Sequence, residues 1–174
     1  MREKVYHSHI MEWHLEFSQE QFQKKVKKSE QQKMKVKIKL LHEDAKKPKY
    51  AKESDAGLDL VATSVISHTP TQITYGLGIA MEIPDGMVGL VFPRSSIRNY
   101  DLSLTNAVGV IDAGYRGELQ ATFYKLNGVA SKVYEVGDRV VQIIIIPHPV
   151  VQLNVVDELS DSARGNGGFG STGK

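Results

Sequence analysis

The sequence predicts an all-β protein, and three observations carry that reading. From Lys35 onward the apolar residues come in short runs, turn-forming residues separate the runs, and no run shows the 3.6-residue spacing of a long amphipathic helix. Val36, Ile38 and Leu40 alternate with lysines at period two, as in a half-buried strand. Further runs follow at residues 58–62, 73–83, 87–92, 102–104, 108–111, 119–126, 140–146 and 150–156. Pro84-Asp85-Gly86, Asn127-Gly128 and Val136-Gly137-Asp138 supply turn chemistry between several of them. Many short strands joined in this way make a sandwich, a jelly roll or a barrel. The run from Val140 to Ile146 is broken only by Gln142, which predicts a strand buried on both faces and packing between subunits.

With 174 residues, 41% of them apolar and 24% charged, the chain has the makings of one domain with a sizeable core. Residues 34–160 form the expected β domain, 161–174 a mobile Gly-rich arm, and 1–33 an extension of different texture. The extension has no Gly or Pro and many Gln, Glu and Lys, so helix is compatible with its propensities. Ile10, Trp13, Phe17, Phe22 and Val26 make only a patchy stripe along such a helix. His7, His9 and His14 have neither Cys nor Asp beside them, a poor set for a metal.

Charge and composition exclude several function classes. The formal net charge of +2 resides in residues 1–34, with seven Lys/Arg against five Glu, and the remainder is balanced at fifteen against fifteen. The β domain is therefore not a nucleic-acid binder on charge grounds. The absence of cysteine removes disulfides and a thiolate nucleophile from consideration. Because no apolar stretch has the length of a membrane span and the N-terminus lacks a secretion signal, the expectation is a soluble cytoplasmic protein, or one inside a host cell if the chain is viral.

Polar clusters stand at the predicted strand ends. Ser54-Asp55-Ala56-Gly57-Leu58-Asp59-Leu60 sets two carboxylates beside a glycine, and Pro93-Arg94-Ser95-Ser96 offers a cation and two hydroxyls, a set that suits phosphate. Asp112 and Tyr115 lie in the hairpin-like stretch 109–118, and Arg139 and Gln142 interrupt an apolar run. The C-terminal stretch Arg164 to Lys174 is too rich in glycine to hold a fold of its own. It nevertheless carries two cations, Ser171, Thr172 and one aromatic ring, Phe169. Glycines let backbone N–H groups converge on an anion, so this mixture suits a nucleotide. Gly168, Gly173 and Lys174 imitate a P-loop but lack its Ser/Thr and its following helix.

In this order the clusters resemble the five motifs of the homotrimeric deoxyuridine triphosphatases (dUTPases): AGLDL at 56–60, PRSS at 93–96, GVIDAGYRGEL at 109–119, RVVQ at 139–142 and RGNGGFGSTG at 164–173. Many family members carry glycine where this chain has Ser96, and the extension is a second departure. The resemblance implies a jelly-roll subunit of the β-clip type in a homotrimer with shared active sites. Its implied reaction is hydrolysis of dUTP to dUMP and pyrophosphate, with Mg2+ bound mainly through the triphosphate. Asp112 would be the general base, Asp59 would hold the hydrated magnesium through water, and Gln142 would steady the α-phosphate or the attacking water. Arg94, Ser95 and Ser96 would hold the phosphate chain, with a structural role for Arg139. Uracil would be read by the backbone from Asn106 through Gly109 and Val110 to Ile111, with Asn106 and Gln120 at its edges. Tyr115 would pack under the deoxyribose. Arg164, Phe169, Gly170, Ser171 and Thr172 would close over the ligand from a neighbouring subunit.

Two other readings share these residues. A deoxycytidine triphosphate deaminase of the same fold needs a catalytic Glu, for which Glu118 is the nearby candidate. A nucleotide-gated binding module would order its arm on dUTP and use the extension to grip another macromolecule.

Overall fold

The structure is a computed structural model and describes residues 34–168. The expected helical extension, Phe169, Gly170, Ser171 and Thr172 lie outside the described residues. Ten strands follow one another: β1 (Lys37–Leu40), β2 (Leu58–Val61), β3 (Ser64–His68), β4 (Gln72–Gly76), β5 (Ile79–Glu82), β6 (Met87–Pro93), β7 (Leu102–Leu104), β8 (Gly109–Ile111), β9 (Gln120–Lys125) and β10 (Arg139–Pro147). The described residues add two short 3-10 turns, Ser95–Asn99 and Gly128–Ala130. No helix among them is long and apolar enough to cross a membrane.

Two four-stranded antiparallel sheets, ordered β2-β10-β6-β8 and β3-β4-β9-β7, form the jelly roll, and β1 pairs with β5 in a small third sheet. Period-two alternation explains the core. In β9, Ala121 and Phe123 are buried while Gln120 and Tyr124 are exposed, and β7 buries Leu102 and Leu104 around an exposed Ser103. These residues meet Leu60, Val91, Val141 and Ile143 of the other sheet, together with Ile79 and Met81 of β5, in one apolar cluster. At the centre Tyr75 stacks edge-on to Phe123 at 6.0 Å, and its hydroxyl donates to the Tyr134 carbonyl at 2.7 Å.

Three features depart from the sequence pattern for physical reasons. The run 73–83 is two strands, because Gly78 (φ 65°) turns the chain out of one sheet into another and donates its N–H to Glu118 Oε1 at 2.8 Å. β3 escapes the pattern because a register shift between Val65 and Ser67 breaks its alternation at a sheet edge. The expected strand at 150–156 forms no ladder, and Val155 is 97% exposed. Among the described residues that apolar stretch pairs with nothing.

The β10 expectation holds for half the strand. Val140, Val141 and Ile143 are fully buried where β2 and β6 flank them, but β2 is only four residues long, so Ile144 to Pro147 pair with β6 alone and lose cover. The outward positions of this sheet are nonetheless apolar. Ile144, Leu90 and Val110 lie side by side, Ile146 lies beside Val88, and Phe92 lies beside Gln142. Val110 is 62% exposed.

Burial raises the Tyr75 phenol to about 12. The folded chain therefore holds that proton more tightly than the unfolded chain, whose tyrosines titrate near ~10. This contribution to stability is fully present below about pH 10 and is lost as pH rises toward the folded value. Urea midpoints are expected to fall between about pH 10 and 12 for this reason. Tyr75→Phe should flatten that decline while costing about 1 kcal/mol at neutral pH for the lost hydrogen bond. An unchanged alkaline slope in the variant would contradict the assignment.

Candidate active site

The hairpin between β8 and β9 builds the first half of the site. Just before β8, Ala107 adopts φ 55°, a left-handed conformation unusual for a residue with a side chain, and so sets the direction in which the backbone from Asn106 to Gly109 enters the strand. Gly109 is buried against β6, where a β carbon would lie 3.2 Å from Val91 Cβ and 3.3 Å from Asn106 Nδ2. After β8 the chain turns at Asp112, whose carbonyl accepts from the Tyr115 N–H at 3.1 Å. Tyr115 folds back and donates its hydroxyl to the Glu118 carbonyl at 2.9 Å. That return needs glycine at 117, because a β carbon there would meet the Tyr115 hydroxyl at 2.5 Å.

The result is a pocket of about 240 Å³ lined by Val110, Ile111, Asp112, Tyr115, Glu118, Leu119 and Gln120. Asp112 is solvent-exposed at its wall. Glu118, also in the lining, has one carboxylate oxygen engaged by the Gly78 amide at 2.8 Å. Gly117 and Leu119 fall within the motif without an expected role, and Glu118 is expected only as the deaminase alternative's catalytic Glu, since their parts in the pocket depend on how the hairpin folds back.

The second half gathers around Asp59. Gln142 on β10 pairs with Asp59 of β2 on one side and with Phe92 of β6 on the other, which brings three of the sequence clusters to one end of the sheet. Asp59 has a nearly buried side chain clamped by two guanidinium groups, Arg94 Nε donating to Oδ1 at 2.6 Å and Arg139 Nη1 to Oδ2 at 2.8 Å. Arg94 Nη1 also donates to Ser96 Oγ at 3.2 Å and to the Arg139 carbonyl at 3.3 Å. Ser95 opens the 3-10 turn Ser95–Asn99 and is exposed. Gln142 Nε2 donates to the Pro93 carbonyl at 3.0 Å, which fixes the carboxamide beside the same turn. Asp55, the other carboxylate of its cluster, accepts the Lys52 N–H at 2.8 Å as an ordinary turn residue.

The two halves stand apart within one chain. Ile111 pairs with Gly89, and Arg94 lies five residues beyond Gly89 in the direction opposite to that in which Asp112 leaves β8. At about 3.3 Å per residue the separation is roughly 20 Å along the sheet. Among the described arm residues, Arg164 is exposed and bonds only locally, Nε donating to the Gly167 carbonyl at 3.1 Å. No cluster of three His, Cys, Asp or Glu suited to a metal ion occurs among the described residues.

Gly57 keeps the second half in register, because a β carbon there would overlap Gln142 Oε1. Gly57→Ala is expected to destabilise the chain by about 1–3 kcal/mol through this overpacking. Thermal unfolding checks it, and an unchanged melting temperature would show that the Gln142 side chain moves freely.

Comparison with known proteins agrees over most of the chain. The dUTPase family model matches residues 43–173. The deoxyuridine 5'-triphosphate nucleotidohydrolase of Corynebacterium glutamicum is 42% identical over 142 residues, covering 80% of this chain and 95% of that protein. Its counterpart in Thermobifida fusca is 41% identical, covering 80% and 79%. Among solved structures, the Staphylococcus bacteriophage 80alpha dUTPase with dUpNHpp superposes with a TM-score of 0.72 at 28% identity, covering 80% of this chain and 99% of that one. A dUTPase variant from phage phi11 of S. aureus, in which a structural Mg(II) ion is coordinated, matches with a TM-score of 0.61 at 25% identity, covering 72% and 98%. A jelly roll with these clusters at its strand ends and a family match across three quarters of its length make the chain a member of the dUTPase family.

Proposed function

We propose that this chain hydrolyses dUTP to dUMP and pyrophosphate in sites shared between the subunits of a homotrimer. The observation that carries the reading is the pocket in which an exposed carboxylate, Asp112, stands beside the Tyr115 ring and the open backbone of β8. Asp112 takes a proton from water as the water oxygen bonds to the α-phosphorus, and the bond from that phosphorus to the bridging oxygen breaks to release pyrophosphate. Backbone groups from Asn106 to Ile111, with Gln120, read uracil. Tyr115 lies under the deoxyribose and leaves no space for a 2′-hydroxyl, a steric exclusion that an apolar pocket alone achieves only about 10²-fold.

The hairpin's one cation, Arg116, is turned onto the Ala113 and Tyr115 carbonyls, so the phosphates need cations from elsewhere. Arg94 supplies a cation, and Ser95 and Ser96 supply hydroxyls, from the other end of the sheet, with Gln142 steadying the α-phosphate or the attacking water, so a neighbouring copy must bring that end to the pocket. Two observations favour such an assembly: the apolar outer face of the β2-β10-β6-β8 sheet, and the stretch 150–156, which has no ladder of its own. Residues 161–174 then act as an arm, with Phe169 stacking on the base and Arg164, Gly170, Ser171 and Thr172 covering the phosphates.

Magnesium fits this chain through the substrate. With both Asp59 oxygens already accepting from arginines, Asp59 suits a hydrogen bond from metal-bound water better than direct ligation. When bound, the ion would neutralise phosphate charge. The reaction would limit uracil incorporation into DNA and supply dUMP for thymidylate synthesis, in the cytoplasm or inside a host cell. The deaminase alternative would rest on Glu118, which lines the pocket and has one carboxylate oxygen engaged by the Gly78 amide.

A product assay on a panel of deoxynucleoside triphosphates tests the reading. Pyrophosphate release from dUTP alone is expected, whereas ammonia release or binding without turnover would overturn it. Asp112→Asn is expected to keep dUTP affinity within about threefold and to lower kcat by 10² or more, the scale of general-base catalysis. Retained turnover would remove Asp112 from the role of base.

A further inference from the structure

Gly78, at the bend between β4 and β5, is buried, and its N–H is taken by a side chain instead of a neighbouring strand. The acceptor is Glu118 Oε1 at 2.8 Å, 40 positions along the chain. A buried N–H without a partner is costly, so the bond that satisfies the amide also fixes the carboxylate. Glycine at 76 leaves room for it, since a β carbon there would stand 2.8 Å from Glu118 Oε1. Beside this bond the Leu77 N–H donates to the Leu119 carbonyl at 3.1 Å, and the Leu119 N–H donates to the Ile79 carbonyl at 2.8 Å.

The main chain of the same residue holds Tyr115. The Glu118 carbonyl accepts from the Tyr115 hydroxyl at 2.9 Å. The Tyr115 side chain is 44% exposed and lies outside the apolar core cluster, so core packing does not set its place and the tether matters. Glu118 thus grips the β4–β5 bend with its carboxylate and Tyr115 with its carbonyl, and both residues line the pocket. Side-chain length decides whether the bend can be reached. Aspartate is shorter by one carbon–carbon bond, about 1.5 Å, whereas glutamine reaches as far and still offers an acceptor oxygen.

We propose that Glu118 is a positioning residue: its carboxylate, anchored on the Gly78 amide, fixes the carbonyl that holds Tyr115, and so sets how strongly the pocket rejects a 2′-hydroxyl. The effect on selectivity rests on the proposed dUTP hydrolysis, but the anchor itself does not. This task needs reach and an acceptor, not a charge or a proton.

The test compares Glu118→Gln, Glu118→Asp and Glu118→Ala in the full chain. Amide hydrogen exchange at Gly78 is expected to stay slow in Glu118→Gln and to quicken at least about tenfold in the other two. In steady-state assays the ratio of kcat/KM for dUTP to that for UTP should fall about tenfold in Glu118→Ala and Glu118→Asp, and stay within about threefold in Glu118→Gln. A merely structural loss would lower both rates together and leave the ratio unmoved. Exchange at Gly78 as slow in Glu118→Ala as in the unsubstituted protein overturns the anchor, and an unmoved ratio in that variant overturns the effect on selectivity. A ratio kept by Glu118→Asp and lost by Glu118→Gln would follow charge and overturns the positioning role. If the unsubstituted protein turns over no dUTP, the proposed function fails, and exchange at Gly78 still decides the anchor.

Discussion

The outward face of the β2-β10-β6-β8 sheet is the constraint on which the account depends. A strand such as β10, apolar at nearly every position, can satisfy one face against the core of its own jelly roll. Its other face carries Ile144 and Ile146 beside Leu90 and Val88, and burying such side chains is worth about 25 cal/mol per Å² of apolar surface removed from water. The described residues leave that burial incomplete, with Val110 62% and Ile146 39% exposed. The same face carries Gln142, with Asp59 paired beside it, so whatever covers the apolar residues also comes close to the candidate site.

Within the chain, the end of the sheet near Pro93 is held by charge. Asp59 is nearly buried between Arg94 and Arg139, and such a group is held in place because removing either partner would leave a charge with less compensation. The arrangement pins a cation at the end of β6 and another at the start of β10 through one carboxylate on β2. Arg94 is thereby pre-oriented, and a guanidinium that is already ordered loses less freedom when it meets a phosphate. The hairpin pocket depends instead on backbone conformation, with Ala107, Gly109 and Gly117 shaping the path that brings Asp112 and Tyr115 together.

Much of this was legible in the residues. The alternation of Ala121 and Phe123 with Gln120 and Tyr124, and the runs that became β6 and β10, describe half-buried and core strands by period alone. β3 was not legible, because its bulge destroys the period, and the break at Gly78 was hidden inside an uninterrupted apolar run. The stretch 150–156 has the composition of a strand, but pairing needs a partner that the described residues do not offer. At the candidate site, Asp112, Tyr115, Arg94 and Gln142 stood out as polar residues at strand ends. Arg139's hold on Asp59 and the packing of Tyr134 on Tyr100 were invisible, since each depends on which residues the fold brings side by side across 80 positions of sequence in the first case and about 35 in the second.

The central claim is that Asp112 of one copy works with Arg94 of another. Mixing two inactive variants, Asp112→Asn and Arg94→Ala, and allowing subunits to exchange tests this directly. If each site draws the two residues from different chains, random exchange of equal amounts restores about a quarter of the sites, and dUTP hydrolysis returns to about that fraction of the unsubstituted protein. If both residues serve from the same chain, no mixture contains an intact site, and activity that stays at the level of the separate variants after proven exchange would contradict the account.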